Sequence, residues 1–479
     1  MLQTQVLKTK ISETHMLKNK IIFDRELIEK CQINAPRYTS YPTADRFNFE
    51  FNLDTQNTQL CNVFNQTYNN DSVSLYIHIP FCNTLCLFCG CNKIITNNRQ
   101  NITTYLEYLD REIKLYNKLI NNKKLNVVQL HFGGGSPSWL SKDEINQVMH
   151  IIKQYFNLDN AKEIAMEIDP RHCDEGYIQN LQANGFNRIS IGVQDFNPEV
   201  QKAVNRIQSY EESNNILEAA RKYGIKSTNV DLIYGLPLQN LETFSSTIDK
   251  TIQMYPDRIA LFNYAHIPAL LMPQTRIKED QLPSGAEKLD ILQMSVEKLT
   301  NAGYVFIGMD HFALPSDDLA IALADGTIER NFQGYSTFAD TNMLSFGVSS
   351  IGFIGNSYYQ NVKDLQSYYL HINNGQLPIL RGVTLTDDDI IRRFVIKQIM
   401  CKFCLNFSQI ENKFNINFSQ YFDLELLQLQ ELENLGLIDL FSDSVTVTPK
   451  GRFLIRNVAV VFDKYIRNIV GNARYSKVV

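Results

Sequence analysis

The chain has 479 residues, of which 44% are hydrophobic and 20% are charged, so it can bury a large core and form two or three domains. Its formal net charge is -5, and no long run of Lys or Arg stands out. Attraction of the whole molecule to nucleic acid or to an anionic membrane is therefore not expected. Residues 1–33 are polar and lack the apolar block of a signal peptide.

We predict that residues 1–33 are an N-terminal extension compatible with disorder, in which Met16 offers a second possible start. No stretch of the chain approaches the apolar length that spans a membrane. The cytoplasm is accordingly the predicted location. The nine cysteines, four of them between Cys82 and Cys91, do not resemble a disulfide framework and indicate a metal instead.

From Asp71 onward, short apolar runs alternate with longer amphipathic stretches, which is typical of βα units around a parallel sheet. Helical periodicity is clear at Tyr105–Leu119 and Leu241–Met254. The pattern predicts an α/β fold, a partial (β/α)6 barrel. Its six strands are predicted at Val73–Ile79, Val127–Phe132, Glu163–Ile168, Arg188–Val193, Ser227–Ile233 and Arg258–Phe262.

After about residue 384 the pattern changes, which predicts a catalytic domain with an N-terminal arm at 34–383 and a small, mostly helical, winged-helix-like domain at 384–479. The elements predicted there are helices Asp388–Met400 and Tyr421–Leu435, a hairpin at Val445–Val447 and a helix from Gly451. A winged helix often binds nucleic acid. The middle helix is acidic, however, which favours a structural or substrate-lid role; its acidic residues are Asp423, Glu425, Glu431 and Glu433.

The cysteine loop directly follows the first predicted strand, where βα-barrel enzymes build their active sites. Cys82, Cys86 and Cys89 can hold three irons of a 4Fe-4S cubane and leave the fourth iron open, and S-adenosylmethionine can chelate an open iron. The alternatives are a zinc site that also uses Cys91, or buried inert thiols. Cys91 follows Cys89 too closely to reach the far corner of a cubane, so we predict that it is not a permanent ligand.

Polar residues recur at the strand ends around this loop. Tyr76 and His78 share one face of the first strand, and a role in the site is favoured over a structural one because they precede the metal loop. The glycines 133–135 permit close approach of the backbone to a ligand. Glu167 interrupts an apolar strand, where an ammonium ligand would satisfy its charge.

Three further candidates lie on the same edge. Gln194 ends the fourth predicted strand, and Asp231 interrupts the fifth. Each alone is explained by a structural hydrogen bond, but their shared edge favours function. Arg206 would ordinarily be a solvated charge; if it faces this edge, it can bind a carboxylate bidentately.

Seven motifs are shared with one enzyme family, and the likeness runs from about Ala35 to the end of the chain. The chain resembles the oxygen-independent coproporphyrinogen III oxidases, radical S-adenosylmethionine dehydrogenases of haem synthesis. The motifs are PRYTSYPT (36–43), CGCNK (89–93), GVQDF (192–196), DLIYGLP (231–237), FNYAH (262–266), GMDHF (308–312) and RNFQGY (330–335).

The resemblance implies a radical S-adenosylmethionine barrel that binds a 4Fe-4S cluster and two S-adenosylmethionine molecules, with Tyr76 and His78 as catalytic residues. Gln333 is implied to lie close to both molecules. The first molecule, on the cluster, is implied near Tyr76, Gly134, Glu167 and Ile351. The second is implied near Phe88, Gly135, Ser136, Gln194, Arg206, Asp231 and Ala265.

The resemblance also implies the reaction, in which a 5'-deoxyadenosyl radical starts the conversion of two propionates of coproporphyrinogen III to vinyl groups, giving protoporphyrinogen IX. It implies a flavodoxin- or ferredoxin-like electron donor, an electron acceptor of unknown identity and a monomer without nucleic acid or a membrane span. Arg37 and Arg330 are candidate ligands of the propionates, with salt bridges as the alternative. The competing functions are a haem-binding chaperone of the same fold and another tetrapyrrole-modifying radical enzyme.

The chain departs from the family pattern at several positions. Ser136 stands where the family usually has Thr, and Leu87 where Tyr is common. Ala339 stands where glycine is common in the family, and alanine resists a backbone with positive φ. The family pattern therefore does not predict the shape of this loop. Cys401 and Cys404 are interpreted as helix-packing residues and not as a second metal site.

Overall fold

Strands and helices alternate over most of the chain, as the apolar pattern predicts. The structure is a computed structural model that describes residues 21–51, 55, 57, 58, 62, 72–338 and 341–466. The sequence analysis concerned Met16 as an alternative start and Ala339 as a change in a loop. Both residues lie outside the described residues. Within the predicted N-terminal extension, Arg25–Lys30 form a helix that buries Ile28.

The described helices are α1 Arg25–Lys30, α2 Arg99–Leu119, α3 Lys142–Tyr155, α4 Glu175–Ala183, α5 Pro198–Ala203, α6 Tyr210–Lys222, α7 Leu241–Met254, α8 Gly285–Asn301, α9 Asp318–Asp325, α10 Leu365–Asn373, α11 Asp387–Lys402, α12 Phe407–Phe414, α13 Phe418–Tyr421, α14 Asp423–Asn434 and α15 Ile455–Val460. None of them is both long and apolar enough to cross a lipid bilayer.

The described strands are β1 Ser72–Ile79, β2 Phe81–Cys82, β3 Ile94–Ile95, β4 Leu125–Gly134, β5 Phe156–Asn157, β6 Glu163–Ile168, β7 Arg188–Gln194, β8 Ser227–Tyr234, β9 Arg258–Asn263, β10 Val305–Gly308, β11 His311–Ala313, β12 Glu329–Asn331, β13 Gly334–Ser336, β14 Asn342–Phe346, β15 Ile351–Ile354, β16 Ser357–Asn361, β17 Ile379–Thr384, β18 Cys404–Asn406, β19 Ile438–Leu440 and β20 Ser444–Val447. All six strands predicted in the central region are present.

The contacts divide the chain into two units, and the first comprises the described parts of Met1–Ala44, Val296–Ala339 and Thr386–Val479. The second comprises the described parts of Asp45–Ser295 and Asp340–Leu385. The boundaries at 33 and 383 remain a prediction.

The second unit is built on one sheet in the order β9-β8-β7-β6-β4-β1-β14-β15-β16-β17. Strands β9 to β14 of this order are parallel, and β14 to β17 pair antiparallel. Helices connect the parallel strands, so the carboxyl ends of the strands share one edge. In β1, Leu75, Ile77 and Ile79 are fully buried on the face opposite Tyr76 and His78, as their alternation predicts.

A buried carboxylate ties helix α2 to the turn between β14 and β15. Glu112 accepts hydrogen bonds from Tyr368 Oη at 2.6 Å, from Gly347 N at 2.8 Å and from Asn361 Nδ2 at 2.7 Å. Burial raises the pKa of Glu112 to about 7, although these three donors oppose the shift. Because the charged form is disfavoured only in the folded chain, this group makes stability depend on pH.

We expect replacement of Glu112 by Gln to remove this pH dependence. The folded-state pKa of about 7 lies above the ordinary glutamate value of 4.5, so the wild-type chain loses stability as pH rises between the two values. The free energy of unfolding should fall by up to about 3 kcal/mol relative to the variant. Urea unfolding at pH 5 and pH 8 measures the difference. The matched control is Glu107→Gln, an exposed position on the same helix, and equal slopes for all three proteins would contradict the prediction.

The first unit contains two hairpins, β10–β11 and β12–β13, and the antiparallel sheet β18-β20-β19. The predicted helix Tyr421–Leu435 is broken at Phe422, a fully buried residue with non-helical backbone angles between α13 and α14. The predicted last helix from Gly451 begins only at Ile455, because residues 451–454 form turns in which Leu454 N donates to Gly451 O at 2.9 Å.

The side chains of Cys404 and Glu425, in the first unit, differ from expectation. Cys401 is buried on α11, as predicted, whereas Cys404 is exposed at the start of β18. The interpretation of Cys404 as a helix-packing residue is therefore wrong. On the acidic helix α14, Glu425 is buried and accepts a hydrogen bond from Arg392 Nη1 at 2.6 Å. Part of the negative charge of the helix is therefore neutralised within the unit.

Candidate active site

The cysteine loop is anchored to the carboxyl ends of β1 and β4. β1 continues through Pro80 into β2, which ends at Cys82. Ile94 N donates to Pro80 O at 2.7 Å, and Gly135 N donates to Ile79 O at 2.8 Å. These backbone bonds place the loop at the edge where the parallel strands end.

Within the loop, a turn brings the cysteines together. Cys89 N donates to Cys86 O at 3.3 Å, and Leu87 N donates to Val204 O at 3.0 Å. Burial raises the pKa of Cys82 to about 12, and the neighbouring Cys89 and Cys86 thiols add to the shift. Such a thiol keeps its proton at neutral pH unless a cation binds, so metal binding would release protons here.

The loop's three cysteines are proposed as cluster ligands because a cubane holds its cysteines at separate corners. No group of three or more His, Cys, Asp or Glu side chains in the described part of the chain is arranged around a single point. The choice of a cubane over a zinc site remains a prediction.

Cys91 acts on Cys89 through a hydrogen bond. This side-chain bond lowers the pKa of Cys89, with help from Lys93, and raises the pKa of Cys91 well above its usual value. Lys93 Nζ donates to the carbonyl oxygens of Cys89 at 3.0 Å and Cys91 at 3.4 Å, which fixes this end of the loop. That Cys91 is not a permanent iron ligand remains a prediction.

The side chains of Tyr76 and His78 form a hydrogen bond with each other. His78 Nε2 lies 3.0 Å from Asn92 O, so this nitrogen carries the proton, and Nδ1 accepts from Tyr76 Oη at 3.1 Å. Burial lowers the pKa of His78 and raises the pKa of Tyr76 well above its usual value. The imidazole is therefore neutral, with both nitrogens engaged, and is held rigidly beside the loop.

The glycine run brings side chains of neighbouring strands onto the backbone of β4. Gly134 has φ +119°, and a Cβ there would lie 2.7 Å from His78 Cε1. A Cβ at Gly135 would lie 2.6 Å from Pro80 O. Gly134 N donates to Glu167 Oε2 at 3.2 Å, and the Glu167 side chain is 46% exposed, so its carboxylate remains accessible to a ligand.

Arg206 is not the solvated charge that a surface position would give; it is 8% exposed. Its Nη1 donates to Asp169 Oδ2 at 3.1 Å and lies 3.6 Å from Cys86 Sγ, and its Nη2 donates to Gly192 O at 2.6 Å. A bidentate grip on a ligand carboxylate would have to displace these bonds. Arg206 thus connects the cysteine loop to the strand ends.

Asp169 is a residue of this site that the sequence analysis missed. Arg171 donates to its Oδ1 at 2.9 Å and to its Oδ2 at 2.6 Å, and Arg206 binds Oδ2 as well. Burial alone would raise the pKa of Asp169, but the two guanidinium groups hold it well below its usual range. The position directly after β6, in Ile168-Asp169-Pro170, was the signal that could have identified it.

Three other predicted residues lie on or just after the parallel strands of the second unit. Gln194 ends β7 with φ +68°, and Asp231 accepts from Ser190 Oγ at 2.9 Å and Asn229 Nδ2 at 2.7 Å. Burial raises the pKa of Asp231 to about 6, against these donors. Ser136 is buried after the glycine run.

Backbone carbonyls serve at three more predicted positions. Ile351 O accepts from Ser345 Oγ at 2.6 Å, and the carbonyls of Phe88 and Ala265 both accept from Gln274 Nε2. The Phe88 side chain packs in addition against the apolar cluster that contains Leu87 and Tyr264.

The predicted residues of the first unit are brought together from distant parts of the sequence. Arg37 forms an ion pair with Asp310, and its carbonyl oxygen accepts from Arg330 Nε at 3.3 Å. The Arg330 guanidinium lies 4.7 Å from the centre of the Tyr335 ring. Gln333 occupies the turn of hairpin β12–β13.

Comparison with known families agrees with this geometry. The model of the Radical SAM superfamily matches residues 76–251, and the model of the HemN C-terminal domain matches residues 385–454. The chain is thus a radical S-adenosylmethionine protein, a class that implies a 4Fe-4S cluster and S-adenosylmethionine as cofactors.

Relatives narrow this class to one family. The chain is 45% identical to the oxygen-independent coproporphyrinogen III oxidase of Salmonella typhimurium and 44% identical to that of Escherichia coli, each over 97% of this chain and 100% of the relative. The solved structure of the Escherichia coli coproporphyrinogen III oxidase, described as a radical SAM enzyme, superposes with a TM-score of 0.87 over 93% of this chain and 100% of that one. The chain belongs to the family of oxygen-independent coproporphyrinogen III oxidases, so the resemblance and the fold class predicted from the sequence are confirmed.

Proposed function

We propose that the chain converts two propionates of coproporphyrinogen III to vinyl groups without oxygen and so forms protoporphyrinogen IX. The observation that carries the proposal is the three-cysteine loop at the carboxyl edge of the parallel strands, in a chain that matches its relatives along their whole length. Each conversion removes one hydrogen atom, one electron and carbon dioxide from a propionate. An acceptor must take that electron.

In this proposal Cys82, Cys86 and Cys89 hold the cluster, and Cys91 stays unligated. When bound, the cluster and S-adenosylmethionine supply one-electron chemistry that abstracts hydrogen from carbon. The chain orients its ligands and excludes water. Tyr76 and His78, whose side chains form a hydrogen bond with each other, would act by contact with the bound cofactor and substrate and not by proton transfer.

We further propose two S-adenosylmethionine molecules for each chain. The accessible Glu167 carboxylate would bind the ammonium of the first molecule, beside Tyr76 and Gly134 and near Ile351. The second molecule is assigned to Phe88, Gly135, Ser136, Gln194, Arg206, Asp231 and Ala265, which lie on the loop and strand ends of the second unit. Gln333 is proposed to lie close to both molecules.

The substrate carries four propionates, for which basic side chains are the expected ligands. Arg37 and Arg330, which contact each other, are proposed for this role. The proposal also includes a flavodoxin- or ferredoxin-like electron donor and an electron acceptor of unknown identity. It further includes a monomeric state, a cytoplasmic location and domains at 34–383 and 384–479.

The test is anaerobic incubation of the reconstituted protein with coproporphyrinogen III, S-adenosylmethionine and a reductant, followed by chromatography of the oxidised porphyrins. We expect protoporphyrin, with a three-propionate intermediate at early times. Haem binding without any vinyl product would favour the chaperone, and a methylated or ring-opened product would favour another tetrapyrrole enzyme.

A further inference from the structure

A buried glutamine joins the cysteine loop to the segment after β9. Gln274 lies in the short 3-10 turn Met272–Arg276 and is 1% exposed. Its Nε2 donates to Phe88 O at 3.3 Å and to Ala265 O at 3.1 Å. Its Oε1 accepts from Ile267 N at 2.6 Å. One side chain thus fixes two carbonyl groups that come from distant parts of the sequence.

These three bonds define a single orientation of the Gln274 amide. If the amide were rotated by half a turn, Oε1 would face the carbonyl oxygens of Phe88 and Ala265, and the amide nitrogen would face the N–H of Ile267. Both arrangements oppose like groups. Only a side chain with one acceptor and two donors at this length satisfies the site.

The turn that carries Gln274 is itself held against the cysteine loop. Ile277 is buried in an apolar cluster with Leu87 and Tyr264. Leu271 packs on the loop, since a Cβ added to Gly90 would lie 3.3 Å from Leu271 Cδ1. The turn is therefore a rigid support, and Gln274 transmits its position to the loop.

We propose that Gln274 is a positioning residue for the second S-adenosylmethionine molecule. The inference rests on the proposed function, which assigns Phe88 and Ala265 to that molecule. Gln274 holds the backbone carbonyl oxygens of both residues against one amide nitrogen and so fixes their separation. Without its two donors, the carbonyl groups would turn toward water and the site would lose its shape.

The experiment measures binding of radiolabelled S-adenosylmethionine to the anaerobically reconstituted full chain by equilibrium dialysis. The wild-type protein should bind two molecules. Gln274→Glu keeps the size and the acceptor but removes both donors, and Gln274→Met keeps only the volume. In both variants the second Kd should rise about tenfold or more, which corresponds to about 1.4 kcal/mol. The first molecule should still bind and change the electron paramagnetic resonance spectrum of the reduced cluster.

Gln182→Glu, at an exposed position on α4, is the matched control and should bind two molecules. If the wild-type protein binds only one molecule, the two-molecule proposal fails, and the inference fails with it. If the wild type and both variants bind two molecules equally well, only the role of Gln274 is refuted. Loss of iron and of both molecules in both variants would assign Gln274 to holding the cluster and would overturn the proposal.

Discussion

Replacement of Cys86 by Ala abolishes formation of vinyl product and lowers the iron bound by the reconstituted protein. The expected loss is complete, because a cubane held by two protein thiolates is exposed at two corners and dissociates. Cys82→Ala and Cys89→Ala should behave alike. Iron analysis and the visible absorbance of the anaerobic protein measure the cluster independently of activity.

Two cysteines outside the proposed ligand set serve as controls. Cys404→Ser alters an exposed thiol at the start of β18, and Cys91→Ser alters the thiol that bonds to Cys89. Both variants should keep their iron. Loss of the cluster absorbance in Cys91→Ser alone would refute the three-cysteine assignment.

Replacement of Glu167 by Gln should raise the KM for S-adenosylmethionine by about 10- to 100-fold, as removal of a charge-assisted hydrogen bond to an ammonium group predicts. The amide oxygen can still accept from Gly134 N, so the fold should be unchanged. Because the lost bond is made to the bound cofactor, the KM should change more than kcat does at saturation.

Glu199→Gln is the control for this charge change, because Glu199 is exposed and pairs only with Lys202 in the contacts described. It should have wild-type kinetics. An unchanged KM in Glu167→Gln would show that the ammonium binds elsewhere.

The parallel strands could be predicted from the sequence because apolar residues recur or alternate over a short stretch in each of them. β6 and α7 agree with their predicted bounds, and the other predicted strands differ by one or two residues at their ends. Strands β14 to β17 were missed. β16, Ser357–Asn361, is buried along its whole length yet consists of Ser, Tyr, Gln and Asn, so its burial depends on tertiary packing and not on an apolar pattern.

The site could be predicted only where position along a strand carries the information. Tyr76 and His78 were placed on one face by alternation, but no local pattern reveals that they bond to each other. Arg206 and Asp169 are 37 residues apart in sequence and form a hydrogen bond only in the folded chain. Neither the burial of Arg206 nor its bond to Asp169 was therefore predictable. The same holds for Gln274, whose partner Phe88 lies on the cysteine loop, 186 residues away in sequence.

The origin of the hydrogen that the reaction removes tests the proposed function most directly. The measurement is mass spectrometry of the 5'-deoxyadenosine formed when the wild-type protein acts anaerobically on coproporphyrinogen III deuterated at the propionate β-carbons. We predict one deuterium in each 5'-deoxyadenosine and one carbon dioxide released for each. Unlabelled 5'-deoxyadenosine accompanying full conversion to protoporphyrinogen would contradict hydrogen abstraction from that carbon.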